Sequence, residues 1–330
     1  MSTETLLSIR DLSVNFKVYG GVVHAVRHLN LEVKRGETLA IVGESGCGKS
    51  VTCQAVMGLV QKPSGQIASG EIIFDGQDLL SLSKKKQREI QGNRIAMIFQ
   101  DPMTALNPTL TIGEQLTEGV RKHKGLSKEA AYAKAVEMLS LVGIAEAKSR
   151  LNQYPHQFSG GMRQRIVIAM ALMCDPDLLI ADEPTTALDV TIQAQVLELF
   201  AKIQEKTGVA IILITHDLGV VAKIADHIAV MYAGQCVEYG NRQDIFYRAG
   251  HPYTQGLLAS VPRLDMSEDS LKPIEGYPPD LFAPPQGCGF FSRCQKKLLV
   301  CERYLPDLHT MDNEHKVLCW LQDSRAQCSL

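Results

Sequence analysis

Eight residues, Gly43-Glu44-Ser45-Gly46-Cys47-Gly48-Lys49-Ser50, constrain this chain more than any other stretch. They follow G-x-x-x-x-G-K-S, the phosphate-loop pattern. The flanks agree with it: residues 38–42 are a short apolar run suited to a buried strand, and residues 50–60 suit a helix. A strand, a loop and a helix in that order turn a row of backbone N–H groups and the positive helix end toward one point. The glycines let the backbone curl around an anion where a Cβ would collide. Lys49 is then placed to reach the β- and γ-phosphates of a nucleotide, and the Ser50 hydroxyl to hold Mg²⁺. Gly43 through Val51 is accordingly the candidate phosphate-binding set. Without such flanks the same pattern would describe only a glycine-rich turn with a surface lysine.

A chain of 330 residues, 45% of them hydrophobic, can bury a substantial core in one large domain or two unequal ones. Lys and Arg number 34 against 36 Asp and Glu, so no general basic field recommends nucleic acid as a partner. Residues 1–10 show no basic start followed by an apolar block, and no apolar run approaches the ~20 residues of a membrane helix. The expectation is a protein soluble on its own, whose membrane role, if any, comes through partners.

Strand periodicity is read at residues 6–16, 22–33, 70–79 and 95–99, with turns at Gly20-Gly21 and Asp75-Gly76. Residues 112–142 are helical in period, with Ser127 as a cap and Gly143 as a stop. Strands at 178–181, 210–214 and 228–232 alternate with a helix at 191–205. That alternation predicts an α/β domain with a mainly parallel sheet, and residues 102–173 a helical insertion on it. Beyond about residue 256 prolines break up the chain and a cysteine-rich tail follows, so residues 1–260 are read as one domain and 261–330 as a small extension.

Hydrolysis needs more than a phosphate loop: a carboxylate for Mg²⁺ and a group for the attacking water. Asp182 and Glu183, at the end of a predicted strand, supply both, although two acids before Pro184 also suit a helix start. His216 ends the next strand and is a candidate contact to the γ-phosphate, or a simple cap. Ser159-Gly160-Gly161 opens another helix and forms a second anion-binding start, or a flexible turn with a serine cap. Taken together these stretches resemble the ATP-binding-cassette (ABC) family over about residues 5–260. Gln100 matches its glutamine loop, Ser159 to Gly161 its signature, Ala187-Leu188-Asp189 its aspartate loop, and His216 its switch histidine. The resemblance implies an ABC-type α/β fold with an added antiparallel β-subdomain. It implies ATP and Mg²⁺, with Gln100 and Asp182 joining Ser50 at the metal and Glu183 serving as base. It also implies that two cassettes pair head to tail, each ATP lying between one Lys49 loop and the partner's Ser159 signature. The signature departs from the usual pattern at Phe158 and Met162. Adenine is expected on an aromatic before the second strand, Tyr19 first and Phe16 second.

Residues 99–108 look like the extended glutamine loop of the dipeptide/oligopeptide importer ATPases, a subfamily shared with nickel importers. His251-Pro252-Tyr253-Thr254-Gln255-Gly256 resembles a segment that follows the cassette there. The subfamily implies a paralogous second ATPase, two membrane-spanning permeases, an extracytoplasmic binding protein acting indirectly, and a place on the cytoplasmic face of the cell membrane. A soluble cassette acting on DNA or ribosomes is the rival class. Cys288, Cys294, Cys301 and Cys319 are spaced C-x5-C-x6-C-x17-C. Four thiolates fit tetrahedral Zn²⁺ or a [4Fe–4S] cluster. Tight pairs favoured by zinc are missing, and the subfamily implies the cluster.

Overall fold

Residues Thr38–Val42, Leu178–Asp182 and Ala210–Ile214 are buried along their whole length, a pattern that interior strands of a mostly parallel sheet produce. In the computed structural model, residues 4–185, 190–260, 273–312 and 314–327 are described. The first half runs β1 (Thr5–Val18), β2 (Gly21–Lys34), β3 (Thr38–Val42), α1 (Lys49–Val56), β4 (Gly65–Phe74), β5 (Gln77–Asp78), α2 (Lys84–Ile90), β6 (Ile95–Ile98), α3 (Pro102–Ala105), α4 (Ile112–Lys124), α5 (Lys128–Leu141), α6 (Ala147–Arg150) and α7 (Gly160–Leu172). The second runs β7 (Leu178–Asp182), α8 (Val190–Thr207), β8 (Ala210–Ile214), α9 (Leu218–Ile224), β9 (His227–Tyr232), β10 (Gln235–Asn241), α10 (Arg242–Tyr247), α11 (Pro252–Ala259), α12 (Val300–Arg303), β11 (His309–Thr310), β12 (Lys316–Val317) and α13 (Ser324–Gln327).

Contacts divide the chain into two compact units: Met1–Leu6, Val33–Thr38 and Leu79–Ile214 form the first; Leu7–Glu32, Leu39–Asp78 and Thr215–Leu330 form the second. In the first unit β6, β7 and β8 are parallel, with Ile95 opposite Leu178 and Asp182 opposite Ile214. The helices α3 to α7 enter between β6 and β7, over the stretch read as a helical insertion. Their ends obey local chemistry. Thr111 and Glu114 form a reciprocal capping box on α4, and Ser127 caps α5 by accepting from the Ala130 N–H.

The second unit holds one sheet in the order β2-β1-β4-β5, with β1 and β4 antiparallel, and a run β11-β12-β10-β9-β3 in which β3 and β9 are parallel. Helix α1, expected to reach residue 60, ends at Val56; Gly58 turns left-handed at φ 64° and stops it. A single core cluster joins Val42 of β3, Val230 and Tyr232 of β9, Tyr253 of α11 and Phe290 beyond it. Residues of the C-terminal extension therefore share a core with the strand that leads into the phosphate loop. The boundary expected near residue 261 lies outside the described residues.

Candidate active site

In the second unit the phosphate loop leaves β3 and enters α1. Gly43 sits at φ 151°, and a Cβ there would stand 2.2 Å from the Met231 carbonyl oxygen. At Gly48, φ is 100° and a Cβ would stand 2.4 Å from the Ala25 carbonyl oxygen. Both positions thus exclude any side chain, for conformation and for space. The Gly234 N–H donates to the Cys47 carbonyl at 3.1 Å, tying the loop to the β9–β10 turn. Lys49, buried, donates from Nζ to the carbonyls of Gly43 at 2.7 Å and Glu44 at 3.0 Å. The Thr52 hydroxyl donates to the Gly48 carbonyl at 2.9 Å, securing the first helical turn. Burial pushes the Cys47 thiol above its ordinary pKa, with Lys49 opposing that rise, so Cys47 is a small packed side chain in the loop. His216 is exposed just after Thr215, and Asp217 caps α9 by accepting from the Gly219 and Val220 N–H groups. Tyr19 is fully exposed at the β1–β2 turn, whereas Phe16 is partly buried within β1.

Two further groups reach the loop that motif reading did not assign to it. The Glu44 N–H donates to the Tyr253 hydroxyl at 2.9 Å, and Arg293 makes a two-pronged ion pair with the Glu44 carboxylate. The sequence signal for Tyr253 was the His-Pro-Tyr-Thr run; Arg293 carried none.

In the first unit, Asp182 closes β7 and is buried. Glu183 follows in the left-handed region at φ 47°, its N–H donating to the Ile214 carbonyl at 3.0 Å. Gln100 donates from Nε2 to the Glu183 carboxylate at 3.1 Å, so the structure joins the glutamine loop to the expected base. Ser159 caps α7 by accepting from the Met162 N–H. A Cβ on Gly161 would touch Ile192 of α8 at 3.0 Å, but one on Gly160 would meet nothing within 4 Å. Asp189, with Ala187 and Leu188, lies outside the described residues. The extended glutamine loop is pinned to α4: Gln115 accepts from the Asn107 N–H at 2.8 Å and donates to the Asn107 and Leu110 carbonyls, each at 3.0 Å. Beside it lies a groove of about 580 Å³, lined by Phe99, Asp101, Thr104, Gly119 and Met170 among others.

The cysteine tail brings thiols near one another without a site built around a single ion among the described residues. Cys288, Cys294, Cys301 and Cys319 are free thiols, and among the described residues no group of three or more ligands could hold a metal ion. A compact zinc site is therefore not built. Burial instead favours protonated thiols, raising Cys288 to about 11 and Cys319 to about 12. Electrostatic repulsion from Cys288, Cys294 and Cys301 contributes to the rise at Cys319, so the four do lie in one another's field.

The description "ABC transporter" matches residues 26–186, and "Oligopeptide/dipeptide transporter, C-terminal region" matches residues 237–301. Over 324 residues, 98% of this chain and 97% of its relative, the chain is 61% identical to the dipeptide transport ATP-binding protein DppD of Bacillus subtilis. The chain belongs to the ABC transporter ATP-binding family. This cassette is also 56% identical to the oligopeptide transport ATP-binding protein OppD of Bacillus subtilis, over 96% of its own length and 88% of that protein. Among solved structures it resembles the ATP-binding cassette MJ0796 in a dimeric post-hydrolysis state bound to ADP and Pi, with 27% identity and TM-score 0.64. That match covers 72% of this cassette and 98% of the other chain. ATP with Mg²⁺ is the expected substrate of a cassette of this family; Asp182 in the first unit is a buried carboxylate and Ser50 in the second a partly buried hydroxyl, each a hard oxygen donor of the type Mg²⁺ takes.

Proposed function

We propose that the chain is the ATP-hydrolysing subunit of a bacterial importer of dipeptides or oligopeptides, acting at the cytoplasmic face of the membrane. The near-full-length likeness to peptide transport ATP-binding proteins supports it. The observation that carries the mechanism is the Gln100–Glu183 hydrogen bond. It links the hydrolytic carboxylate to the loop that borders the groove, so that an event at one end is felt at the other. No helix among the described residues is long and apolar enough to cross a membrane, so transport calls on other chains. Two permease subunits are the partners that fit, one of them docking a helical segment in this groove.

Roles follow from the side chains. Lys49 and the loop N–H groups bind the phosphates. Ser50, Gln100 and Asp182 would each offer an oxygen donor to Mg²⁺, whose charge would offset that of the phosphates. Glu183 orients and deprotonates the attacking water, and His216 contacts the γ-phosphate. Tyr19 offers an exposed ring for adenine. Gly160 supports pairing with a second, paralogous cassette. A glycine in the first helical turn, with no left-handed φ and no crowding from its own chain, weakens the helix, so its bare Cα serves a close approach by another molecule. Asp189 is assigned to the same junction. Peptide reaches the permeases through a binding protein that this chain does not touch.

Cys288, Cys294, Cys301 and Cys319 are proposed as ligands of a [4Fe–4S] cluster, which would staple the tail. The support is the donor set: four soft thiols in one another's field, spaced more widely than a single ion requires. Iron and acid-labile sulfide near one cluster per chain after anaerobic purification sustains it; their absence removes it.

Co-purification with the two permeases and the paralogue, followed by reconstitution in vesicles, tests the function. Peptide-loaded binding protein is expected to stimulate ATP hydrolysis and drive peptide accumulation. Stimulation by nickel in place of peptide would redirect the substrate, and association with ribosomes or DNA but not permeases would overturn the transport role.

A further inference from the structure

We infer that Arg293 is a positioning residue for the phosphate loop, neutralising and pinning the Glu44 carboxylate so that the C-terminal extension sets the affinity for ATP. This rests on ATP as the ligand of that loop. Glu44 is the second residue of an anion-binding loop, and a free carboxylate there opposes a bound triphosphate. The Arg293 fork answers it: Nη1 donates to Glu44 Oε2 at 2.7 Å and Nη2 to Oε1 at 3.0 Å. The Arg293 side chain is 5% exposed and that of Glu44 26%, so water screens this pair far less than a surface pair.

The guanidinium has little freedom to release its partner. Nη1 also donates to the Tyr232 hydroxyl at 3.2 Å, Nη2 to the Ile274 carbonyl at 3.1 Å, and Nε to the Glu275 carbonyl at 2.9 Å. Its cation lies 5.8 Å from the centre of the Tyr232 ring and 6.0 Å from that of Phe290. Those rings belong to the core that also holds Val42, the last residue of β3 before the loop. The backbone of Glu44 is held independently, its N–H by the Tyr253 hydroxyl and its carbonyl by Lys49. Arg293 thus does one thing those contacts cannot, which is to cancel the charge and fix the direction of the side chain. It touches no reacting atom, so its loss should weaken ATP binding and leave the chemical step nearly intact.

The test uses the full chain assembled with its partners, read by binding of a fluorescent ATP analogue and by steady-state ATPase kinetics. Arg293→Gln is expected to raise Kd and KM for ATP about tenfold, one lost charge-assisted contact, with kcat within about twofold. Adding Glu44→Gln in the same chain should return the affinity to within about threefold of the parent, because no uncompensated carboxylate remains. Glu44→Gln alone should tighten binding, since the Arg293 charge then stands uncancelled. An unchanged Kd in Arg293→Gln, a loss confined to kcat, or a defect that persists in the double variant overturns the inference. If Arg293→Gln does not fold, Glu44→Gln decides: unchanged or weaker binding overturns it, tighter binding sustains it. A parent chain that binds no ATP would instead remove the function on which the inference rests.

Discussion

Replacing Glu183 by Gln isolates one property of the site. The glutamine amide keeps the size of the carboxylate and retains an oxygen to accept from Gln100 Nε2, now at 3.1 Å. The backbone at φ 47°, held by the bond to the Ile214 carbonyl, is as accessible to Gln as to Glu. Lys49 and the glycines of the phosphate loop are unchanged, so ATP affinity should stay within about threefold of the parent, the span of a ~0.6 kcal/mol change. What is lost is the charge and the proton acceptor for water. A positioned general base contributes about 10²–10⁴ in rate, or about 3–5 kcal/mol of barrier at 1.36 kcal/mol per decade. Single-turnover hydrolysis of radiolabelled ATP, beside equilibrium binding of a fluorescent analogue, measures the two properties separately. Expected are near-parental binding and turnover reduced at least a hundredfold. Turnover within tenfold of the parent would remove Glu183 as the base, and loss of binding would show that the carboxylate works on the ground state instead.

Gly43→Ala puts a methyl group 2.2 Å from the Met231 carbonyl oxygen at a φ of 151°; strain of about 1–3 kcal/mol or more should displace the loop and weaken ATP binding, as titration will show. Gly160→Ala meets nothing in its own chain; the melting temperature should hold or rise while ATP-dependent pairing of cassettes in the Glu183→Gln background, followed by light scattering, is lost. Gly119 lines the groove, and a Cβ there would likewise meet nothing within 4 Å; Gly119→Leu should stabilise α4 by about 1 kcal/mol and keep basal ATPase activity, yet abolish co-purification with the permeases. His251 is buried, its Nδ1 accepting from the Tyr253 N–H, and burial lowers its pKa from 6.5 to about 4. The unfolded chain therefore takes up the proton first, and stability should fall as pH drops from 6.5 toward 4, by up to about 3 kcal/mol. Thermal melts across that range will check it, with Glu238, which opposes the shift, left intact.

The sequence alone determined the local and chemical content of this protein. The phosphate loop, the Asp182-Glu183 pair and the serine caps are read from short spacings, because glycine freedom, helix capping and strand burial act within a few residues, whereas Gln100 came only with the family resemblance. The helical period of residues 112–142 is local in the same way, and α4 and α5 lie within it. Helix α1 was overextended to residue 60 because its stop is Gly58 taking a left-handed φ, which an apolar pattern does not announce. Tertiary structure alone decided the contacts between distant segments. Nothing near residue 293 says that it faces Glu44, since that pairing spans 249 positions and depends on a shared core of Tyr232, Tyr253 and Phe290. The cysteine spacing likewise offered candidate ligands but not their arrangement, because the distance between side chains is set by how the tail packs. Short-range rules fix which groups the chain carries, and only packing fixes which of them meet.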